Sequence, residues 1–500
     1  MNKSLNNFFK YFIIIVGIIV LSFLFIGNII FYTDVAHDLS EITSIHFNNP
    51  IFIIILIIVG IIIYKLLDII DIKLSKKTKR ILFVVIAFVF ALVQIIWISY
   101  RDLYPYGDQL SVYNTAKNLY SGNTSELINN MYLQLCPQQI NISIIWSIIF
   151  KLFHSTSIRI IQYINVFANV ISLITLLKIA EELNSKYKIN KTRLVFLFIA
   201  FIPIVLLSTF AYGDLPGLAL SLLAILFILK YINYNKLLYL FISSIFISLA
   251  CLIRINYIIF FIAILLYLLL NLIKKYNGLK ELLLKLLLIA IYSLIAFIPS
   301  ELLKSSFQNN YKLKKEYAFP TSSYLYIAMT EGDKGNGWYN ENIIYAWEHP
   351  GKSNNYYKKQ INKRLNYFKQ NPLYFIEFYV KKELSMWTEN TYQSVWYNES
   401  FNISKESHQN YNKDNRLLSV YRIIYMWQKM IVLMLISISI YYIFKNRKKL
   451  DNNILLFLLV FLGGFSFHTL WEAKSRYVIP YLIVLIITAS LKINNKKHTN

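Results

Sequence analysis

Charge and cysteine are both scarce in this sequence. Only 15% of its 500 residues are Asp, Glu, Lys or Arg, whereas 57% are hydrophobic. That apolar surface exceeds what one soluble core can bury, which excludes a soluble globular protein. The two cysteines, Cys136 and Cys251, fit neither a disulfide framework nor a metal-binding knuckle.

Motifs for nucleotide and zinc chemistry are missing. The sequence has no Walker loop, no paired-glycine dinucleotide fingerprint and no zinc-binding helix motif, so ATP-driven transport, nicotinamide chemistry and zincin-type proteolysis lack support. His468 and Glu472 are four residues apart and could share a helical face as metal ligands do, but no third ligand accompanies them. Residues 331–338 are similar to a calcium or phosphate loop without its ligand spacing. We interpret them as an outer loop that either is free or covers a site.

Long apolar runs predict an all-α polytopic membrane protein with about twelve spans. Many of these runs reach the 17 to 25 residues that a spanning helix needs, and no strand-like alternation is sustained. The predicted spans are residues 11–32, 51–70, 81–99, 158–180, 194–212, 215–231, 237–253, 256–273, 281–299, 423–444, 454–469 and 478–491. The first run is too long for a signal-peptide core, so we expect it to be retained as a helix. The shorter segments 140–153 and 372–387 are predicted to be outer interfacial helices.

The net charge of +25 reflects topology rather than nucleic-acid binding. Every short loop on one predicted side is basic, whereas the loop 33–50 carries Asp34, Asp38 and Glu41 and no Lys or Arg. By the positive-inside rule, the protein crosses the cell membrane many times with both termini in the cytoplasm. The aromatic residues of the long outer segment 301–422 could stack on sugar faces or lie at the lipid headgroups.

This topology places a set of charged side chains on the outer side. They are Asp108, Asp214, Arg254, Glu472, Lys474 and Arg476. Charged residues at one membrane depth indicate a functional site, although each taken alone could be a helix cap or a snorkelling side chain. Arginine forks suit a phosphate ester, and a nearby carboxylate can accept a proton from an attacking hydroxyl. If the leaving group is a lipid phosphate, it departs as a weakly basic anion, so no general acid is required.

The order of these motifs resembles the GT-C class of membrane glycosyltransferases, specifically family 39, the bacterial relatives of protein O-mannosyltransferases and of the aminoarabinose transferase that modifies lipid A. The similarity covers residues 81–491. It lies in an acid before a helix closed by glycine (Asp108 to Gly122), a Pro-led interfacial helix from Pro137, a second acid (Asp214), Arg254 after a small-residue span, and the final stretch from Glu472 to Pro480.

This resemblance implies a GT-C-like fold and the transfer of a sugar from a polyprenyl-phosphate carrier to an extracytoplasmic wall polymer, glycolipid or protein. Asp108 corresponds to the catalytic base, and Asp214 is a second acid near the reaction centre. The implied substrate-binding residues are Arg254, Glu472, Lys474, Arg476, Tyr477, Tyr106 and Gln109. Gln109 stands where many relatives carry a second acid, which weakens the claim of a metal, and a divalent cation is kept only as an open alternative.

The resemblance also divides the chain into four regions. Residues 1–80 form two additional N-terminal helices, 81–300 form the core with the first outer loop at 100–157, 301–422 form an extracytoplasmic subdomain, and 423–500 form C-terminal helices with a cytoplasmic tail. Two other functions stay open. One is a polymerase or ligase of surface polysaccharide that uses a diphosphate-linked donor, and the other is a lipid or solute transporter, which predicts charges near the middle of spans.

Overall fold

Helices dominate the computed structural model, which describes residues 2–36, 40–184, 186–274, 278–399 and 415–492. Within those residues, nine helices are long and apolar enough to cross a membrane. They are Ser4–Ile30, Pro50–Lys73, Lys76–Arg101, Ile158–Leu183, Asp214–Tyr234, Ile255–Lys274, Leu279–Asn310, Val420–Asn446 and Asn452–Leu470. The predicted all-α polytopic membrane fold is therefore confirmed.

The other three predicted spans take different forms. Residues 194–212 were expected to be one span, but Lys191–Ile199 and Ile202–Thr209 meet at a bend of 53°. Pro203 in the first turn of the second helix cannot donate a backbone hydrogen bond to the preceding turn. The carbonyl of Ala200 at the bend accepts hydrogen bonds from the Ile202 amide at 3.0 Å and from the Trp427 indole at 2.9 Å. The remaining two, Leu237–Ile253 and Ser475–Ala489, are shorter apolar helices.

Further helices lie between the spans. The α-helices are Asp108–Ser121, Thr124–Ile128, Met131–Leu135, Ile140–Leu152, Thr321–Ile327, Ile344–Glu348, Asn354–Gln370, Pro372–Trp387 and Ser394–Glu399. Short 3-10 turns occupy Pro137–Gln139, Leu207–Thr209, Ile255–Tyr257, Lys315–Tyr317, Glu341–Ile343 and Ser475–Val478.

One of the two predicted interfacial helices is only partly at a surface. The first half of Pro372–Trp387 exposes apolar side chains, with Leu373 81% exposed, but Lys382 and every later residue to Trp387 are buried. The alternation of apolar and basic residues that indicated an interfacial helix therefore does not reveal how deeply its second half is packed.

A β-hairpin follows the first helix and was not predicted. Strand Phe31–Val35 pairs antiparallel with Thr43–Phe47, with Phe31 opposite Phe47. The Asn48 side-chain amide donates to the carbonyls of Asn28 and Ile29, which have no partner inside a helix that stops there, and to the carbonyl of Phe31 in the strand. We call the described residues 31–36 and 40–47 the N-terminal hairpin.

Polar side chains gather at two opposite ends of the bundle. At one end, Asp68 pairs with Arg193, and Lys186 pairs with Asp451. Helix Asn452–Leu470 starts there and at 1.5 Å per residue runs about 28 Å to the other end. That other end, which we call the site end, carries residues 210–214 and 471–477.

Candidate functional site

Two arginines flank Asp214 at the site end. The Nε atoms of Arg254 and Arg476 lie 3.6 Å and 3.8 Å from Oδ1 of Asp214. Asp214 is the first residue of its helix. Arg254 has an extended backbone conformation and lies between two helices. Both distances exceed hydrogen-bond length, so the arginines neutralise the carboxylate without using their donors on it.

Several polar atoms of this group are buried without a hydrogen-bond partner. They include Oδ2 of Asp214 and both Nε and Nη1 of Arg476, whose residue is only 4% exposed. Leaving charged donors unpaired in a buried position is costly. Two cations against one carboxylate also give an excess of one positive charge. The arrangement therefore suits an anionic ligand.

Both guanidinium groups lie over the faces of aromatic rings. Arg254 lies 4.4 Å from the centroid of the Tyr212 ring, and Arg476 lies 4.2 Å from that of Phe210 and 4.9 Å from that of Tyr397. Tyr477, a predicted substrate-binding residue, also lies beside both guanidinium groups. Stacking fixes the plane of a guanidinium and leaves its N–H edge for a ligand.

Two glycines allow this close assembly. A Cβ atom on Gly213 would lie 2.5 Å from the backbone oxygen of Ile253, the residue before Arg254. A Cβ atom on Gly217 would lie 2.1 Å from the ring of Tyr257, whose hydroxyl donates to the Asp214 backbone carbonyl. The two chain segments that carry Asp214 and Arg254 touch because these positions lack side chains.

Asp108 lies at the same end of the bundle. It is an exposed residue at the start of helix Asp108–Ser121, which follows Gly107 in a positive-φ conformation (φ 56°). The neighbouring Gln109 is buried, and its side-chain oxygen accepts a hydrogen bond from the Ala211 amide at 2.8 Å. Gln109 thus fastens the Asp108 turn to the segment that leads into Asp214.

Glu472 lies close enough to Asp108 for their charges to interact. Burial raises the pKa of Glu472 to about 7, Lys474 opposes the rise, and the charges of Asp108 and Glu41 add to it. The segment is held from both sides. The Ala473 amide donates to the Gly337 carbonyl at 2.7 Å, and Lys382 Nζ donates to the Trp471 carbonyl at 2.7 Å.

Glu41 joins the site although sequence reasoning did not select it. Its two carboxylate oxygens lie 2.9 Å from Nζ of Lys474 and 2.7 Å from Nζ of Lys334. Burial by itself raises the pKa of Glu41, but the two ammonium groups lower it to about 2. Tyr106 lies nearby and packs, as Tyr397 does, against the buried pair Val35 and Trp396. The available signal was the presence of acids without any base in the loop 33–50.

The loop 331–338 is part of this assembly. Lys334 contributes its ammonium group to Glu41, and Gly337 pairs its backbone with Ala473. Of the two interpretations open for this loop, the structure therefore agrees with the one in which it lies against the site.

Comparison with known families agrees with a membrane protein. A family model described as conserved hypothetical integral membrane protein matches residues 1–497. The chain belongs to this family. A search of curated proteins found no match. In this integral membrane protein the family match extends over residues 1–80, so the N-terminal helices and hairpin fall within the same match as the rest of the chain.

The residues described for this integral membrane protein do not form a metal site. None of them make up a group of three or more His, Cys, Asp or Glu side chains placed to hold an ion. His468 and Glu472 do not share a helical face, because the helix that contains His468 ends at Leu470. The divalent cation left open by the resemblance thus has no protein ligand set in the described part, and the reaction proposed below has no metal-bound step.

A charged cavity lies at the opposite end of the bundle. It measures about 460 Å³, and its lining includes Glu181, Lys186 and Asp451. Lys186 pairs with Asp451 at 2.9 Å, and Glu181 pairs with Lys178 and Lys191, each at 3.0 Å. These charges satisfy one another, unlike those around Arg476, so this cavity is the weaker candidate.

Proposed function

We propose that the protein is a membrane glycosyltransferase that moves a sugar from a polyprenyl-phosphate-linked donor to an acceptor outside the cytoplasm. The observation that carries the proposal is the buried pair Arg254 and Arg476 around Asp214, with donor atoms of Arg476 unpaired. In this proposal the site end faces away from the cytoplasm, as the distribution of basic loops predicts.

In the proposed reaction, the arginines bind the phosphate of the donor. Asp108 accepts the proton of the acceptor hydroxyl while the oxygen of that hydroxyl attacks the anomeric carbon from the face opposite the phosphate. The new glycosidic bond forms as the carbon–oxygen bond to the phosphate breaks, and the phosphate departs with the bonding electron pair. Configuration at the anomeric carbon is inverted. Arg254 and Arg476 stabilise the charge that develops on the departing oxygen.

The position of Asp108 supports its role as the base. Its side chain is exposed at a helix start, and Gln109 fixes that start to Ala211, three residues before Asp214. A base must reach the attacking hydroxyl while the leaving phosphate is held elsewhere. Asp108 and the arginines belong to different chain segments, and the hydrogen bond from Ala211 to Gln109 holds the Asp108 turn beside the residue before Tyr212, whose ring contacts Arg254. This arrangement supports the proposed division of roles.

The test uses purified protein in lipid nanodiscs with undecaprenyl-phosphate sugars as donors. Asp108→Asn is expected to lower turnover by about 10²- to 10⁴-fold while the unfolding temperature stays unchanged, because the side chain is exposed. Glu126→Gln, an exposed acid in the same loop, is the matched control and should keep full activity. Normal turnover in Asp108→Asn would remove this mechanism.

A polysaccharide polymerase or ligase with a diphosphate-linked donor is the second candidate. Lys474 adds a cation beside the arginines, since its ammonium and the Arg476 guanidinium lie over the same ring, Tyr397. Turnover with diphosphate-linked but not monophosphate-linked sugars would select this reading. A transporter has less support. Lys429 lies inside a span, but its amino group donates to the Phe31 carbonyl, the Asn390 side chain and the Tyr425 hydroxyl, so the neighbouring residues satisfy it.

A further inference from the structure

We propose that the acceptor is a saccharide and that it binds to a wall of aromatic side chains at the site end, next to Glu472. This inference rests on the proposed function. The wall, called the aromatic wall below, consists of Phe319, Tyr324, Tyr339, Trp347 and Trp471. Neither the family match nor the resemblance assigns a role to any of these residues.

The rings of the aromatic wall form one continuous surface. Trp471 and Tyr324 are stacked with centroids 5.2 Å apart and planes at 15°, and Tyr324 contacts Phe319 at 6.3 Å. Phe319 meets Trp347 edge to face at 5.5 Å, and the Trp347 indole donates to the Tyr339 hydroxyl at 3.4 Å. Tyr339 is 36% and Trp347 40% exposed, so two of the rings present open faces.

Polar groups border the rings of the wall. Trp471 directly precedes Glu472. The negative charges of Glu472 and Asp108 add to burial in raising the pKa of Tyr339. Gln138 donates from its side-chain amide to the Tyr324 hydroxyl at 3.3 Å. Carboxylate, amide and phenol groups therefore border the rings, and these are the groups that hydrogen-bond the hydroxyls of a sugar while its C–H face lies on a ring.

The wall also adjoins the arginine site along the chain. Trp471 belongs to the wall, and Arg476, five residues later, lies beside Asp214. A donor phosphate at the arginines and an acceptor at the wall would therefore be bound by residues of the same short segment.

The wall suits a neutral ring better than a phosphate. Lys334 approaches the Tyr339 ring to 5.9 Å, but its charge is compensated by Glu41. The aromatic wall is also attached to the protein core, unlike rings that merely lie at lipid headgroups. Lys382 is fully buried and binds the carbonyls of Ala328 and Trp471, which ties the wall to the core of the protein.

The experiment measures saccharide binding without a donor. Labelled protein in phosphatidylglycerol nanodiscs is applied to an array of defined neutral oligosaccharides, and the best glycan is then titrated. Trp347→Ala and Tyr339→Ala are each expected to weaken binding by about tenfold. Trp347→Phe and Tyr339→Phe, which keep a ring, should retain most of it. Tyr163→Ala, at an exposed ring on a spanning helix, is the control and should bind as the wild type does.

Activity assays then separate this inference from the proposed function. With the identified glycan as acceptor, Trp347→Ala should raise the acceptor KM and leave the donor KM unchanged. Binding of no glycan by the wild type, or equal binding by Trp347→Ala and Tyr339→Ala, would overturn the saccharide site. Glycan binding that depends on the wall, together with full turnover in Asp108→Asn, would instead leave the wall standing and reject the base.

Discussion

Nζ of Lys474 lies 2.9 Å from Oε1 of Glu41, which joins one of the last loops of the chain to the N-terminal hairpin. The same carboxylate holds Lys334 and accepts a hydrogen bond from Gln393 at 3.1 Å. The hairpin that follows the first helix thus contributes directly to the site end. Residues 1–80 were interpreted as two helices added to a complete core, but the part of the chain around Glu41 is built into the candidate site.

Glu41→Gln is expected to destabilise the protein and weaken donor binding. The neutral amide leaves two ammonium groups without their shared counter-ion, at a cost of about 2 kcal/mol, and lets Lys474 move relative to Arg476. We expect the unfolding temperature to fall by a few degrees and the donor KM to rise by roughly tenfold. Thermal unfolding in detergent and donor titration measure the two effects. Glu301→Gln, which removes an exposed pair with Lys304, should change neither.

The stability difference between wild type and Glu41→Gln should depend on pH in one direction. The pKa of Glu41 falls from 4.5 to about 2 on folding, so the folded state holds fewer protons between these values. The contribution of Glu41 is therefore fully present above about pH 4.5 and is lost as the pH falls toward 2. A difference that stays constant down to pH 2 would contradict the ion pairs seen here.

Glu472 should give donor binding a pH dependence near neutrality. Because its pKa is raised to about 7, it is neutral below that pH and adds a negative charge near the phosphate site above it. The donor KM should rise above about pH 7 in the wild type and stay flat in Glu472→Gln. The contribution of Glu472 to folding stability changes with pH in the opposite direction to that of Glu41. The folded state binds the extra proton between pH 4.5 and 7, so wild-type stability relative to Glu472→Gln should decrease as the pH rises through that window.

Lys382 is expected to position Glu472 through the backbone. Its ammonium donates to the carbonyls of Ala328, Thr469 and Trp471, each within 2.9 Å. Lys382→Met keeps the length of the side chain but leaves three carbonyls without that donor, at a cost of about 3 kcal/mol. We expect a lower unfolding temperature and a shift in the pH at which the donor KM rises. Lys381→Met is the matched control, since Lys381 is exposed and pairs with Glu377 on the surface.

A purely structural role for Lys382 makes a different forecast. In that case Lys382→Met would lower the unfolding temperature while the pH profile of the donor KM stayed the same as in the wild type. The pH profile therefore decides between the two roles, and the melting temperature alone does not.

The sequence predicts the elements of this protein better than the contacts between them. Apolar runs located the segments that became helices because length and hydropathy are local properties. Charge asymmetry grouped Asp108, Asp214, Arg254 and Arg476 at one end, where the structure brings them together. The same signals say nothing about tertiary packing. Glu41 was only one of several acids in a loop. Its ion-pair partners, Lys334 and Lys474, lie almost three hundred or more positions away in the sequence.

The N-terminal hairpin and the buried Lys382 show two further limits. The strand Phe31–Val35 continues directly from a long apolar helix, so hydropathy gave no boundary between them. Lys382 lies in a helix with basic and apolar residues at interfacial spacing, and a lysine in such a pattern normally points to water. Only the carbonyls of two other chain segments, which the pattern cannot reveal, make its burial favourable.

Gly213→Ala is expected to separate Arg254 from Asp214. The added Cβ atom would meet the Ile253 backbone oxygen at 2.5 Å and the Ile253 side chain at 2.6 Å. The backbone of Gly213 has a negative φ of −107°, so the effect comes from contact and not from conformational strain. Relief requires the segment before Arg254 to move, at a cost of about 1–3 kcal/mol. Donor affinity should fall by at least about tenfold.

The matched control for Gly213→Ala is Gly17→Ala. A Cβ atom on Gly17 would make only an ordinary contact of 3.6 Å with Leu458, and alanine in a helix is favoured over glycine by about 0.5–1 kcal/mol. Gly17→Ala should therefore keep full donor affinity with equal or higher stability. If Gly213→Ala loses stability but binds the donor normally, the close approach at Gly213 supports packing and does not set the distance between Arg254 and Asp214.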